Sequence, residues 1–299
     1  PFRGHIGAIQ TNALQSWIRL SPPCEIILFG DEEGTADVAA RFKVRHVPKV
    51  MRNEFGTPLL NDLFEKAQAM ATHGLMCYVN ADIVLMSDFM TAVELICRLK
   101  KPFLMAGQRL DIDLDRPLSF EQPDWKEQLR AYVQLYGKPQ PPELIDYFVF
   151  PRGLYKELPP FAIGRTAFDN WLLWKARSLR ALLVDASEMI MAVHQNHDYS
   201  HHRQGWKGLW YGPEAERNRE LTGGHYFSLQ DATHRLTPRG LKWNLHGEYL
   251  RRRWMFAQMA FLLRTQTLRY RLGLSKSNID RLLRGMRNVL RVASEGKAE

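Results

Sequence analysis

The chain has 299 residues, of which 45% are hydrophobic and 24% charged, proportions that are ordinary for a globular protein. No apolar run approaches the length of a membrane span, and no basic segment followed by an apolar one opens the sequence, so neither a spanning segment nor a signal peptide is predicted. The net charge of +9 lies at one end, because residues 250–299 contain 12 Lys or Arg and 3 Asp or Glu.

Cysteine usage indicates a reducing compartment. Cys24, Cys77 and Cys97 are odd in number and form no C-x-x-C pair. Reduced, buried thiols are expected in such a chain. The sequence therefore predicts a cytoplasmic protein.

Predicted helices and strands alternate along the chain. An apolar stripe predicts a helix over residues 6–20 with no strand before it, although an α/β unit normally opens with a strand, so we expect the first strand to be missing from the sequence. Further strands are predicted at 25–29, 44–47, 103–106 and 147–150, and further helices at 35–42, 59–72, 88–98 and 123–136. This alternation predicts α/β architecture with βαβ units and a mostly parallel sheet.

Residues 75–89 form the stretch around which the other elements are organised. An apolar run reaches Asn80 and Asp82, and Ser87 can cap the helix that follows. The carboxyl ends of strands in an open α/β sheet border the ligand crevice. We therefore expect Asp82 to hold a divalent metal on a nucleotide diphosphate.

Two later segments also place polar residues at the ends of elements. Asp169 lies in the first turn of a helix predicted over 168–180. A strand predicted over 189–193 leads into His194, which opens a histidine-rich loop over 194–212. A histidine cluster at a strand end indicates metal binding, and taken alone it is equally typical of a metallohydrolase.

Five motifs occur in a fixed order along residues 1–235: Gly30-Asp31 after a strand, the loop 53–56, Tyr78-Val79-Asn80-Ala81-Asp82 at a strand end, the segment 164–171, and a strand ending in His194. Together they resemble the GT-A glycosyltransferases, most of all the bacterial family-2-like branch. The resemblance implies a GT-A catalytic domain over 1–245, related to the Rossmann fold, and leaves 246–299 as a basic helical tail.

The resemblance implies transfer of a sugar from a nucleotide-sugar donor to an acceptor hydroxyl, in the synthesis of a cell-surface polysaccharide or glycolipid. It assigns the donor nucleotide to Asp31, Gly56, Asn80 and Asp82. The acceptor would be a carbohydrate or a lipid-linked carbohydrate. Asp169 would be the base of an inverting reaction, or would orient a substrate in a retaining one.

The metal implied by the resemblance is Mn or Mg, held by Asp82 and His194, with His197 as the second choice. Weaker candidates are the guanidinium groups of Arg152 and Arg165 for phosphate and the rings of Trp171 and Trp206 for the acceptor.

The sequence departs from the family pattern at Asn80, where an aspartate is usual, and an amide brings no charge to the metal. A literal D-x-D occurs later, at Asp111-Ile112-Asp113-Leu114-Asp115. No apolar strand leads directly into that segment and Pro117 follows it, so we expect a solvated loop there.

The basic tail over 246–299 alternates arginines with large apolar residues. Such amphipathic helices bind anionic membrane surfaces, here the inner face of the plasma membrane, but packing on the body or on a second copy of the chain is an equal alternative. Nucleic acid is not an expected partner, because the body is neutral. Alternative functions are a sugar-phosphate nucleotidyltransferase and a non-enzymatic scaffold that binds through the tail.

Overall fold

The computed structural model describes residues 1–114, 117–197 and 205–245, together with scattered positions between 250 and 284. The helices are α1 (Gly4–Ile18), α2 (Thr35–Phe42), α3 (Leu60–Met70), α4 (Ser87–Ile96), α5 (Trp125–Tyr136), α6 (Phe168–Ser178), α7 (Gly205–Tyr211) and α8 (Pro213–Thr222). The strands are β1 (Ile27–Phe29), β2 (Arg45–Val47), β3 (Leu75–Val79), β4 (Ile83–Val84), β5 (Phe103–Ala106), β6 (Arg109–Ile112), β7 (Lys138–Pro139), β8 (Tyr147–Pro151), β9 (Leu182–Asp185), β10 (Ala192–Gln195), β11 (His234–Thr237) and β12 (Gly240–Trp243).

A six-stranded sheet has the strand order β12-β11-β9-β5-β8-β3. β9 runs parallel to β5 and β11, whereas β8 runs antiparallel to β3 and β5. The sheet is therefore mixed. The prediction of a mostly parallel sheet is confirmed only in part, because β3, β5, β9 and β11 run in one direction and β8 and β12 in the other. β3 and β5 are parallel to each other, as the alternation predicts, but β8 inserts between them in the opposite direction. An apolar run predicts a strand without fixing its direction, so the sequence pattern did not show this insertion.

Helices cover both faces of this sheet. Tyr147 and Val149 of β8 pack with α1 and α4 in one apolar cluster, whereas Phe148 and Phe150 pack with α3 and α6 in another. The alternation follows from the two-residue repeat of a strand, which points successive side chains to opposite faces. Burial of a sheet by helices on both faces is the α/β layer architecture that the sequence predicts.

A second sheet, of order β4-β10-β6-β7, joins segments that are distant in the sequence. His194 of β10 pairs with Ile83 of β4 on one side and with Asp111 of β6 on the other. The expectation of a solvated loop is therefore wrong for Asp111 and Ile112, because backbone pairing with β10 holds both in a strand.

β3, which the sequence predicts as a buried strand, forms one edge of the six-stranded sheet. In the described part of the chain its outer side pairs with no strand, and β1 likewise pairs only with β2. Both strands line the same cavity. Cys77 of β3 is consequently exposed, as are Cys24 and Cys97, so the expectation of buried thiols is wrong.

The predicted tail over 246–299 lies almost entirely outside the described residues. Among the residues that are described, no helix is both long and apolar enough to span a membrane.

Candidate functional site

The two sheets bring three potential metal ligands together. Asp82 lies between β3 and β4, His194 is on β10, and His197 follows two residues after that strand. The Nε2 atoms of His194 and His197 lie 3.5 Å and 3.3 Å from Asp82 Oδ2. Antiparallel pairing of β10 with β4 fixes this approach, because it sets His194 opposite Ile83, the residue after Asp82.

This group has the composition and geometry of a metal site. One ligand atom from each of Asp82, His194 and His197 lies within 4.8 Å of the others. Asp82 Oδ1 is enclosed and has no hydrogen-bond partner, which leaves a buried carboxylate oxygen without compensation unless a cation binds it. Two imidazoles and one carboxylate are a common ligand set for divalent transition metals, and three protein ligands leave coordination positions open for a substrate.

The charges of this group are set by opposing effects. Burial lowers the pKa of His194, but hydrogen bonds to Asp111 and Asp82 outweigh it and raise that pKa to about 9. Burial raises the pKa of Asp82, but hydrogen bonds to His194 and His197 hold it well below its usual range. Near pH 7 the metal-free group therefore contains a protonated His194 beside an ionised Asp82.

Metal binding is expected to release about one proton per ion near pH 7, because a protonated imidazole must lose its proton before it coordinates. The affinity for Mn²⁺ should accordingly rise with pH up to about 9, the pKa of His194. Titration calorimetry in two buffers of different ionisation enthalpy measures the proton count. A metal affinity that is constant from pH 6 to pH 9 would contradict this assignment.

Asp111 forms an ion-pair contact with His194. Its Oδ1 lies 3.1 Å from His194 Nδ1, so the other ring nitrogen, Nε2, is directed at Asp82. The parallel pairing of β10 with β6 places the two residues opposite each other. A carboxylate on the far nitrogen of a metal-binding histidine holds the ring and raises its basicity.

Asp111→Asn is expected to weaken Mn²⁺ binding about 10- to 100-fold, since outer partners of metal ligands typically have effects of this size. The matched control is Asp113→Asn, in the same D-x-D segment, because Asp113 Oδ1 accepts a hydrogen bond from Asn196 rather than contacting His194. Equal metal affinities in the two variants would refute the orienting role.

A chain of polar contacts extends from Asp111 to Asn80. Arg109 Nε lies 2.9 Å from Asp111 Oδ1, and Arg109 Nη1 lies 2.8 Å from Asp146 Oδ2. Asn80 Nδ2 donates a 2.6 Å hydrogen bond to Asp146 Oδ1. Sequence reasoning missed Arg109 and Asp146. The available signal was an aspartate directly before an apolar strand, but it identifies a site only once β8 is known to run against β3.

Asp169 borders the same cavity at the start of α6. Asp169 as a whole is half-buried, but its Oδ1 atom is enclosed and has no hydrogen-bond partner. Burial is the main effect that raises the pKa of Asp169 to about 7, and the charge of Asp146 adds to it. Burial, together with the charges of Asp169, Asp146 and Asp82, raises the pKa of Tyr78 above its usual range.

These residues line a cavity of about 1530 Å³. The cavity also extends beyond the site, to β1, the edge strand β3 and apolar side chains of α1 and α4. The potential metal ligands and Asp169 therefore line one cavity.

Two of the predicted donor contacts are engaged in other interactions. Asp31 is largely exposed, and its Oδ1 lies 2.5 Å from Arg52 Nη2. Gly56 lines the cavity with a φ of 81°, but its N–H donates to Asn53 O within a turn. The backbone N–H of Gly56 is therefore not available to a nucleotide in this conformation.

The weaker candidates separate into different parts of the fold. Arg165 lines the cavity and forms a buried ion pair with Glu214 at 2.7 Å. Arg152 donates to Ala71 O beyond the end of α3, and Trp171 packs in the core against Phe161, so neither borders the cavity. The predicted phosphate role of Arg152 and acceptor role of Trp171 are therefore not supported by their positions.

Trp206 lies in α7, but its side chain is outside the described residues, so the acceptor contact predicted for it stays a prediction. The chain matches no protein-family model and no curated protein.

Proposed function

We propose that this protein is a metal-assisted glycosyltransferase of the GT-A type, which moves a sugar from a nucleotide-sugar donor to an acceptor hydroxyl. The observation that supports this most is the placement of the Asp82, His194 and His197 group and of Asp169 on one cavity. The group of Asp82, His194 and His197 would hold the leaving diphosphate through a metal, and Asp169 would take the proton of the attacking hydroxyl.

The ligand group suits a cation on phosphate oxygens. Asp82, His194 and His197 would hold a divalent metal, and imidazole ligands favour Mn²⁺ over Mg²⁺. When bound there, the metal would stabilise the negative charge that develops on the departing nucleoside diphosphate.

Asp169 provides the base for an inverting reaction. The acceptor oxygen forms a bond to the anomeric carbon, the bond from that carbon to the diphosphate oxygen breaks, and the acceptor proton moves to Asp169. With a pKa of about 7, this carboxylate is partly ionised near neutral pH and is also more basic than an ordinary aspartate. In a retaining enzyme Asp169 would orient the acceptor instead.

The donor and its metal can be identified by thermal unfolding. UDP-, GDP- and CDP-sugars, each with Mn²⁺, Mg²⁺ or EDTA, are compared with the nucleoside alone. A ligand at 100 times its Kd stabilises the native state by about 2.7 kcal/mol, which raises Tm by several degrees. A shift that requires both nucleotide sugar and metal supports the proposal, and no shift with any pair would overturn it.

The acceptor and the cellular location follow from the proposed reaction class. A carbohydrate or lipid-linked acceptor at the inner face of the plasma membrane would use the basic tail as a surface anchor. Vesicle sedimentation with and without anionic lipid tests this location, and equal pelleting with both would count against it.

A metallohydrolase is the second candidate, because a metal held by three protein ligands would keep an open coordination position that equally suits an activated water. It predicts turnover of a phosphate ester or an amide with Mn²⁺ and without any nucleotide. A nucleotide-dependent thermal shift would exclude it as the main activity.

A further inference from the structure

The side chains of Asn80 and Asp146 both line the cavity and contact each other. Asn80 Nδ2 donates to Asp146 Oδ1 at 2.6 Å, and the backbone N–H of Asn80 donates to Asp146 O at 2.9 Å. The antiparallel register of β3 and β8 pairs Val79 with Tyr147, so their two neighbours must meet. The contact is therefore built into the sheet.

The contact gives a physical reason for an amide at position 80. An aspartate there would face the carboxylate of Asp146 across hydrogen-bond distance, and Arg109 supplies only one positive charge, already shared with Asp111. Two like charges in such a dry position disfavour each other strongly. The pair thus holds one carboxylate and one amide, with the carboxylate on the residue directly before β8.

Asp146 also has capacity to bind a ligand. Its side chain is 8% exposed and lines the cavity. Asn80 and Arg109 each donate one hydrogen bond to it, one to each oxygen, and a carboxylate has about four acceptor positions. Asp82 and Asp169 line the same cavity.

We infer that Asp146 is a donor-binding residue, which accepts hydrogen bonds from hydroxyl groups of the nucleotide sugar, and that Asn80 is the positioning residue that holds it. This inference rests on the proposed function and deepens it. In effect, the carboxylate missing from position 80 is supplied across the sheet by Asp146.

Four proteins test the pairing: wild type, Asn80→Asp, Asp146→Asn and the exchange variant that carries both changes. Without nucleotide, the exchange variant should be more stable than Asn80→Asp, because amide and carboxylate again face each other, but less stable than wild type, because Arg109 loses its carboxylate partner at position 146. Asn80→Asp alone should unfold several degrees lower. An exchange variant no more stable than Asn80→Asp would overturn the pairing.

The same proteins test ligand binding with Mn²⁺ and the nucleotide sugar that shifts wild type most. Asp146→Asn should weaken binding about 10-fold or more, as expected for loss of a charged acceptor, and the exchange variant should recover most of that loss. Unchanged affinity in Asp146→Asn would overturn the role of Asp146 alone. A wild type that binds no nucleotide would overturn the proposed function itself.

The hydroxyl concerned is identified by the ligand series. If the loss in Asp146→Asn is equal for the nucleoside diphosphate and for the nucleotide sugar, Asp146 binds the ribose, and 2′- or 3′-deoxy nucleotides should abolish the difference between variant and wild type. If the loss occurs with the nucleotide sugar only, Asp146 binds the sugar that is transferred. Either result supports the inference.

Discussion

Asp169→Asn is expected to lower kcat about 10²- to 10⁴-fold, the usual contribution of a general base, while Mn²⁺ and nucleotide affinities change by no more than a few-fold. An asparagine of nearly the same shape keeps the start of α6 but cannot accept the acceptor proton. In the wild type, activity should rise with pH through about 7, as Asp169 loses its own proton. Loss of nucleotide affinity equal to the loss of kcat would argue for a binding role instead.

Asp169→Asn is also expected to change how the stability of the protein depends on pH. The folded pKa of Asp169, about 7, lies above its ordinary 3.8, so the native state holds a proton that the unfolded chain gives up between these values. Wild-type stability from this group is therefore present at low pH and is lost as pH rises through about 7. Asp169→Asn should show a smaller fall in Tm from pH 5 to pH 8.

Asp185→Asn is the matched control for both measurements. Burial also raises the pKa of Asp185, at the end of β9, and Ser187 donates to its carboxylate. The residue does not line the cavity. This variant should therefore alter the pH dependence of Tm while leaving kcat near the wild-type value. Equal losses of kcat in the two variants would show that Asp169 acts through the fold.

Asp82→Asn is expected to weaken Mn²⁺ binding by at least about 100-fold and to lower kcat/KM about 10³-fold, because it removes the only carboxylate of the ligand group and, with it, several kcal/mol of charge stabilisation. Binding is measured by calorimetry or by the paramagnetic signal of free Mn²⁺. Asp37→Asn, an exposed residue in the first turn of α2, is the control and should match wild type.

The pH dependence of Tm distinguishes a variant that has lost metal binding from one that has lost its fold. In metal-free wild type the pKa of His194 is raised from 6.5 to about 9, so its stabilising effect is complete below pH 6.5 and disappears as pH rises through 9. Asp82→Asn removes one of the two carboxylates responsible, so its Tm should fall less over this range. If Asp82→Asn is unfolded at every pH, the ligand assignment is tested instead by measuring Mn²⁺ binding to Asp82→Glu and His197→Ala.

Local patterns in the sequence predicted the elements well and the pairings poorly. The apolar run before Asn80 predicts β3, and the stripe after Asp169 predicts α6, because burial of one face imposes the period. The direction of β8 and the inclusion of Asp111 in β6 depend on contacts between distant segments, which no local pattern specifies. For that reason Asp82 and His194 could be named from strand ends, whereas Asp111 and Asp146 could not.

The insertion of β8 between two parallel strands affects how the molecule assembles. Asn80 and Asp146 are 66 positions apart in the sequence, and Asp82 and His197 are 115 apart. Both contacts therefore form only after a long loop of the chain has closed. Loops of this length close late and slow the search for the native topology. A nascent chain that stops before residue 197 has no complete ligand group. The metal binding that we propose would therefore follow the pairing of β10 with β4, and it would stabilise the tertiary structure rather than start its formation.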